Sequence, residues 1–299
     1  MLKIIVKYGA ICYYLNMVSV KAYAKLNLTL DILGVSGGFH MLDSLVCSVD
    51  LYDLIKLRKR KDGKINLEMH GLNTELMPVE SNNAYRAAEA FKDRFQTGGA
   101  DIAVYKNIPL AAGMGGSSAD AAGVLRGMSK LYGVGSEREL KELADSLGSD
   151  TGYMLTGGFA RLKGRGERVE FLDIKEKLNL LALIPDSGVS TAACYALYDE
   201  SPSPTATTDS GVEGLKSGDL RALGKALGNA LYGPAIRLNE SVKMAYGELK
   251  EFDPAGVTMT GSGSAVAALF ENAEFCAYAK SRYRGKFKAI QLKTVIPGF

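Results

Sequence analysis

From residue 109 to 122 the chain reads Pro-Leu-Ala-Ala-Gly-Met-Gly-Gly-Ser-Ser-Ala-Asp-Ala-Ala. Gly113, Gly115 and Gly116 remove the Cβ obstruction that would keep backbone N–H groups from converging. Just beyond them, Ala121, Val124, Leu125, Met128 and Leu131 recur at the spacing of a helix face. The glycine loop must therefore open directly into an amphipathic helix. Converging amides, two serine hydroxyls and the positive end of a helix together suit a polyphosphate. The loop is not a Walker A motif, since no Gly-Lys-Ser/Thr follows, and it is not G-x-G-x-x-G. A glycine turn ahead of an ordinary helix is the plainer alternative.

The rest of the chain alternates short strands with helices. Val18, Val20, Ala22, Ala24, Leu26, Leu28, Leu30 and Ile32 alternate with more polar residues, which predicts a half-buried strand region. Residues 34–38 form a turn cluster. Further strands are expected near 44–50, 54–57, 65–69 and 102–106, and a helix over 83–95. A second helix opens on a capping box made by Ser136 and Glu139 and stops at Gly148. From about residue 176 the pattern begins afresh. An apolar run at 178–184 predicts a buried strand, and the Ser/Pro/Thr-rich stretch 200–211 a mobile loop. Helices at 219–231, 235–252 and 273–282 and strands at 257–260, 265–270 and 287–295 complete the chain. The reading is α+β in two domains, 1–175 and 176–299.

Composition excludes several classes. The 299 residues are 47% hydrophobic with a net charge of +3, too mild a balance to imply nucleic acid or an anionic membrane as partner. There is no apolar run long enough to span a bilayer. Two histidines make a His-based zinc site or a Ser-His-Asp triad hard to build. Cys12, Cys47, Cys194 and Cys276 are widely spaced, as in a reduced cytoplasmic chain. In the first sixteen residues lysines interrupt a short apolar stretch and no cleavage pattern follows, so a signal peptide is not expected. Met17 directly precedes the first strand, which suggests translation from Met17 and a dispensable leader.

Several residues have two readings each. Asp150 follows the Gly148 stop, and is either a helix N-cap or a carboxylate able to take a hydroxyl proton in phosphoryl transfer. Lys25 is either a solvated strand lysine or, beside Asp150, positive charge near a developing transition state. The loop Thr260-Gly261-Ser262-Gly263-Ser264 is either a tight hairpin or a wall for close approach of a ligand. Phe39-His40 and Tyr195 are packing residues by default.

Taken together, the glycine-rich loop, Ala24-Lys25-Leu26-Asn27-Leu28, Gly38-Phe39-His40, Val49-Asp50-Leu51-Tyr52-Asp53, Leu147-Gly148-Ser149-Asp150, Gly188-Val189-Ser190-Thr191 and the late glycine loop resemble the GHMP kinase superfamily. The resemblance covers nearly everything from Val18 onward. Within the superfamily it is to kinases of a cytidine-diphosphate methylerythritol in non-mevalonate isoprenoid synthesis. It implies an N-terminal ribosomal-S5-like domain and a C-terminal ferredoxin-like domain, with the site between them. It implies ATP and Mg2+, without assigning metal ligands, and a monomer or weak homodimer.

By resemblance, Asp150 is the catalytic base toward a C2 hydroxyl, with Lys25 beside it. Pro109, Leu110, Ala111, Ala112, Gly113, Met114, Gly115, Gly116, Ser117 and Ser118 form the loop around the ATP phosphates. Lys106 and Asn83 line the nucleotide pocket. Asn27, Gly261 and Ser262 contact substrate, His40 hydrogen-bonds the cytosine, and Phe39 and Tyr195 sandwich it. The chain departs from the usual pattern at Phe39, where Tyr is common, at Ser117, usually glycine, and in the Thr-Gly-Tyr that follows Asp150. Competing expectations are another GHMP kinase, acting on mevalonate, a sugar or homoserine, and a non-catalytic nucleotide-binding protein on the same fold. The joint presence of Asp150 and Lys25 argues against the latter.

Overall fold

The computed structural model describes residues 17–71, 79–205 and 207–298. The leader expectation for residues 1–16, Cys12 included, lies outside the described residues. Two sheets carry the fold. The first is built on β1 (Met17–Asn27), β2 (Thr29–Ser36), β3 (Phe39–Arg60), β4 (Ile65–His70), β5 (Gly99–Tyr105), β6 (Phe159–Gly164) and β7 (Arg168–Leu172). Helices α1 (Asn83–Phe95), α2 (Gly116–Tyr132), α3 (Glu137–Leu147) and α4 (Thr151–Thr156) accompany it. The second is a four-stranded antiparallel sheet of β8 (Asn179–Ile184), β10 (Gly256–Met259), β11 (Val266–Phe270) and β12 (Lys288–Lys293), in the order β10-β11-β8-β12. Between β8 and β10 come α5 (Thr191–Glu200), α6 (Thr208–Ser217), α7 (Leu220–Ala226), β9 (Gly228–Asn229), α8 (Tyr232–Leu238) and α9 (Glu240–Lys250). Helix α10 (Ala273–Arg282) precedes β12.

The strands expected at 44–50 and 54–57 are one element. β3 runs unbroken because it changes partners along its length: β2 and β6 toward its start, then β1, then β5 from Leu54 to Arg60. The 178–184 run is a buried strand, and its two faces belong to different cores. Leu180, Ala182 and Ile184 join the core of the first sheet, while Leu181 and Leu183 pack under the C-terminal helices. A strand buried on both faces needs no polar alternation.

Three expectations are corrected. The stretch 200–211 is not all loop: α6 begins at Thr208. Its N-cap residue Thr207 makes no side-chain capping bond, and the Asp31 carboxylate of β2 instead accepts from the amides of Thr207 (3.0 Å) and Thr208 (2.9 Å). Burial acts to raise the Asp31 pKa, and the Thr205, Thr207 and Thr208 donors outweigh it to hold the group below its ordinary value. The helix expected over 219–231 stops at Ala226, since Gly228–Asn229 adds to β2 as a parallel strand. The helix expected over 235–252 is broken at Asn239, whose extended backbone (φ −148°) lets its side chain accept from Ser241 N and start α9. The strand–strand pair β6–β7 and helices α4 and α5 had no counterpart in the sequence reading.

Among the described residues, no helix is long and apolar enough to cross a membrane.

Candidate active site

β1 loses its pairing register with β3 between Tyr23 and Lys25. Such irregularities re-aim side chains. Here the polar residues beyond it, Lys25 and Asn27 at the end of β1 and Thr29 and Asp31 at the start of β2, are all buried. They are covered by chain from far away. Thr260 Oγ1 accepts from Asn27 N (3.0 Å), and Asn27 Oδ1 accepts from Gly261 N (3.0 Å). Lys25 is thus not a solvated strand lysine.

The glycine loop is gripped from both sides. Lys25 N donates to Met114 O (3.0 Å) from the first sheet. Ala265 N donates to Ala112 O (3.1 Å), and Thr260 Oγ1 to Gly113 O (3.1 Å), from the late loop. Both glycines at the crossing are required. A Cβ on Gly113 would meet Thr260 O at 2.1 Å, and one on Gly115 would meet Met154 Cε at 2.3 Å and Lys25 Cγ at 3.0 Å. Both also have positive φ, +74° and +73°. The loop then enters α2, whose N-cap Gly115 has no side chain to spend on the first-turn amides. Those amides stay available to an anion.

Asp150 occupies the N-cap position of α4 but makes no capping bond. Its Oδ2 lies 3.5 Å from Lys25 Nζ, and that ammonium also donates to Asn27 Oδ1. Asn27 Nδ2 in turn donates to Ser44 Oγ at 2.7 Å, which fixes the amide's orientation. A carboxylate, an ammonium and an oriented amide therefore meet at the glycine loop. All border one open cleft of about 1420 Å³, which Pro109 to Ser118, Phe39, His40, Tyr195, Gly261 and Ser262 also line.

The aromatic residues reach the same cleft from two elements. Phe39 opens β3 and is 53% exposed. His40 follows it, with its ring 4.5 Å from that of Tyr195 on α5 and its Nε2 2.7 Å from Asp199 Oδ1. Nε2 is thus engaged, and Nδ1 and the backbone are the groups of His40 left for a ligand. Ser262 Oγ bonds Thr191 Oγ1 (2.8 Å) in the first turn of α5, tying the late glycine loop to the helix that carries Tyr195. Burial pushes the Tyr195 phenol above its ordinary pKa, so it faces the cleft as a neutral ring.

The two residues expected on the nucleotide side have different surroundings. Asn83 Nδ2 donates to Ser117 Oγ (2.9 Å), which places it at the loop mouth. Lys106 does not line the cleft. Its buried ammonium is shared between Asp53 and Asp120, the latter at 2.5 Å, beneath the first turn of α2. Burial alone would lower the Lys106 pKa, and the two carboxylates override it and hold it above the ordinary value. Asp53 also accepts from the amides of Asn107 (2.5 Å) and Ile108 (2.8 Å), so the cluster pins the entry to the loop. Sequence reasoning missed Asp53 and Asp120 in this role. The signal was present only as an acid on β3 and another four residues into α2, with nothing to say that they share a lysine.

Among the described residues no group of three or more His, Cys, Asp or Glu side chains could hold a metal ion. The oxygen donors at the loop mouth are the hydroxyls of Ser117 and Ser118. They suit a hard cation that arrives on phosphates and keeps most of its waters.

An amide-lined loop at a helix mouth, with an acid–lysine pair beside it, is an arrangement that suits a small-molecule phosphotransferase. Comparison with known proteins agrees. The model of the GHMP kinases N terminal domain matches residues 82–160, and that of the GHMP kinases C terminal domain residues 212–282. The chain belongs to the GHMP kinase family of small-molecule kinases. Within that family it is similar to the 4-diphosphocytidyl-2-C-methyl-D-erythritol kinase of Caldicellulosiruptor saccharolyticus, 37% identical over 92% of this chain and 95% of that protein. A crystal structure of 4-(cytidine 5'-diphospho)-2C-methyl-D-erythritol kinase superposes with a TM-score of 0.78 at 30% identity, covering 93% of this chain and 99% of the other. A homoserine kinase from Cytophaga hutchinsonii shares the fold, with a TM-score of 0.71 at 17% identity over 94% and 95% of the two chains.

Proposed function

We propose that this chain transfers the γ-phosphoryl group of ATP to the C2 hydroxyl of 4-diphosphocytidyl-2-C-methyl-D-erythritol, a step of non-mevalonate isoprenoid precursor synthesis. The observation that carries the reading is the Asp150–Lys25 pair, 3.5 Å apart, on a lysine whose own amide holds Met114 of the glycine loop.

The substrate hydroxyl oxygen attacks the γ-phosphorus as its proton passes to the Asp150 carboxylate. The bond from the γ-phosphorus to the β,γ-bridging oxygen breaks, and ADP leaves. Phosphoryl transfer asks the protein mainly for in-line positioning and neutralisation of charge on the equatorial oxygens. The amides of residues 113–118 and the Lys25 ammonium supply the latter. The hydroxyls of Ser117 and Ser118 would help hold a Mg2+ ion arriving on the nucleotide, which would supply further neutralisation. Asn27 holds Lys25 in place and offers a polar contact to the substrate. Phe39, His40 and Tyr195 recognise the pyrimidine by stacking and hydrogen bonding. Cys47, Cys194 and Cys276 are buried free thiols, which fits a cytoplasmic enzyme, working as a monomer or weak homodimer.

A coupled ADP-release assay tests the substrate. Purified enzyme is offered the cytidine-diphosphate methylerythritol, mevalonate, galactose and homoserine in turn. Turnover confined to the cytidine substrate is expected. Preferred turnover of any other would place the chain elsewhere in the family.

A further inference from the structure

The turn joining β6 to β7 reads Gly164-Arg165-Gly166-Glu167 and carries a cation the mechanism above does not use. The Arg165 amide donates to Glu167 Oε2 (2.6 Å), but its guanidinium has no carboxylate within ion-pair reach among the described residues. It lies instead 4.7 Å from the centroid of the Phe39 ring. The other basic side chains of the cleft are engaged, Lys25 by Asp150 and Asn27, and His40 by a hydrogen bond with Asp199. An arginine facing an open cleft, with only a ring to hold it, has its planar fork of donors free.

Its place in the cleft is informative. One neighbour of Arg165 in space is Phe39. Its neighbour in sequence is Gly166, where a Cβ would lie 3.5 Å from Asp150 Oδ1. The turn that carries Arg165 thus passes beside the catalytic carboxylate while its guanidinium meets the aromatic face, and Phe39, Arg165 and Asp150 line one cleft. The substrate proposed above carries a diphosphate between its flat base and its reacting hydroxyl. A diphosphate needs countercharge, and a guanidinium meets phosphate oxygens two at a time. Stacking on Phe39 limits the rotamers that Arg165 must give up on binding.

We propose that Arg165 is a substrate-binding residue that clasps the diphosphate of the cytidine nucleotide, and so selects a diphosphate-linked alcohol over an uncharged cytidine compound. The proposal rests on the cytidine reading of the site.

The test compares wild type, Arg165→Ala and Arg165→Lys in the full chain, with cytidine and CDP as competitive inhibitors against the cytidine substrate. In Arg165→Ala, the inhibition constant of CDP should rise about ten- to a hundred-fold, the cost of a lost charge-assisted contact. That of cytidine and the KM for ATP should stay as in wild type, and Arg165→Lys should recover part of the loss. Equal weakening of CDP and cytidine would show that Arg165 only props Phe39. Unchanged CDP inhibition would show that it touches no phosphate. Either result overturns the proposal. Wild type that binds neither inhibitor would sink the cytidine reading, and this inference with it.

Discussion

Phe39 presents a bare ring at the cleft, more than half exposed and without the hydroxyl of a tyrosine. A base stacked on such a ring gains about 1–3 kcal/mol. Replacing Phe39 with Ala should therefore raise the KM for the cytidine substrate about ten-fold or more while leaving the KM for ATP as it was. Steady-state kinetics with each substrate varied in turn measure both. Equal effects on the two would remove Phe39 from base recognition. At this scale the chemistry was legible in the sequence as residue types, and their environments were not. Lys25 reads as a solvated strand lysine because alternation along β1 says only which residues share a face. What closes over that face is distant chain: Thr260 and Gly261 on Asn27, and Met114 of the glycine loop on Lys25. Lys106 is a pocket residue only by resemblance, and the acids that take up its charge lie on β3 and α2, apart from it in sequence.

Among elements, the buried cluster of Asp53, Lys106 and Asp120 joins β3, the end of β5 and α2 directly under the loop. Two carboxylates share one ammonium, and Asp120 Oδ1 has no hydrogen-bond partner. Burial, only partly offset by Lys106, pushes the Asp120 carboxyl from 3.8 up to about 7. Across that window the folded chain holds a proton that the unfolded chain has released. This group's contribution therefore declines as pH rises from about 4 to about 7 and is level above it. Asp120→Asn should remove that decline, read as urea midpoints across the same range. A midpoint profile identical to wild type would mean that Asp120 is charged throughout. The contrast with α1, α2 and α3 explains what the sequence reveals at this scale. Their starts and apolar stripes are local, including the Ser136–Glu139 capping box, which forms in full. Helix α6 was hidden because its cap is Asp31, on another strand.

At the scale of the molecule, the glycine loop is the strap between the two sheets, held by Lys25 on one side and by Thr260 and Ala265 on the other. The loop was readable as a ligand site; that it is also a joint was not, since both partners are distant in sequence. Gly113→Ala would drive a Cβ against the Thr260 carbonyl and strain a positive φ. A loss of about 2–4 kcal/mol of stability is expected, with weaker ATP binding. Calorimetry and ATP titration check it, and a variant as stable as wild type would mean the strap gives way freely. The proposed chemistry requires Asp150 to take the hydroxyl proton beside that strap. The direct measurement is kcat for Asp150→Asn, which keeps the shape and removes the base. A fall of about a hundred- to ten-thousand-fold with ATP binding retained is predicted. Turnover close to that of wild type would contradict it.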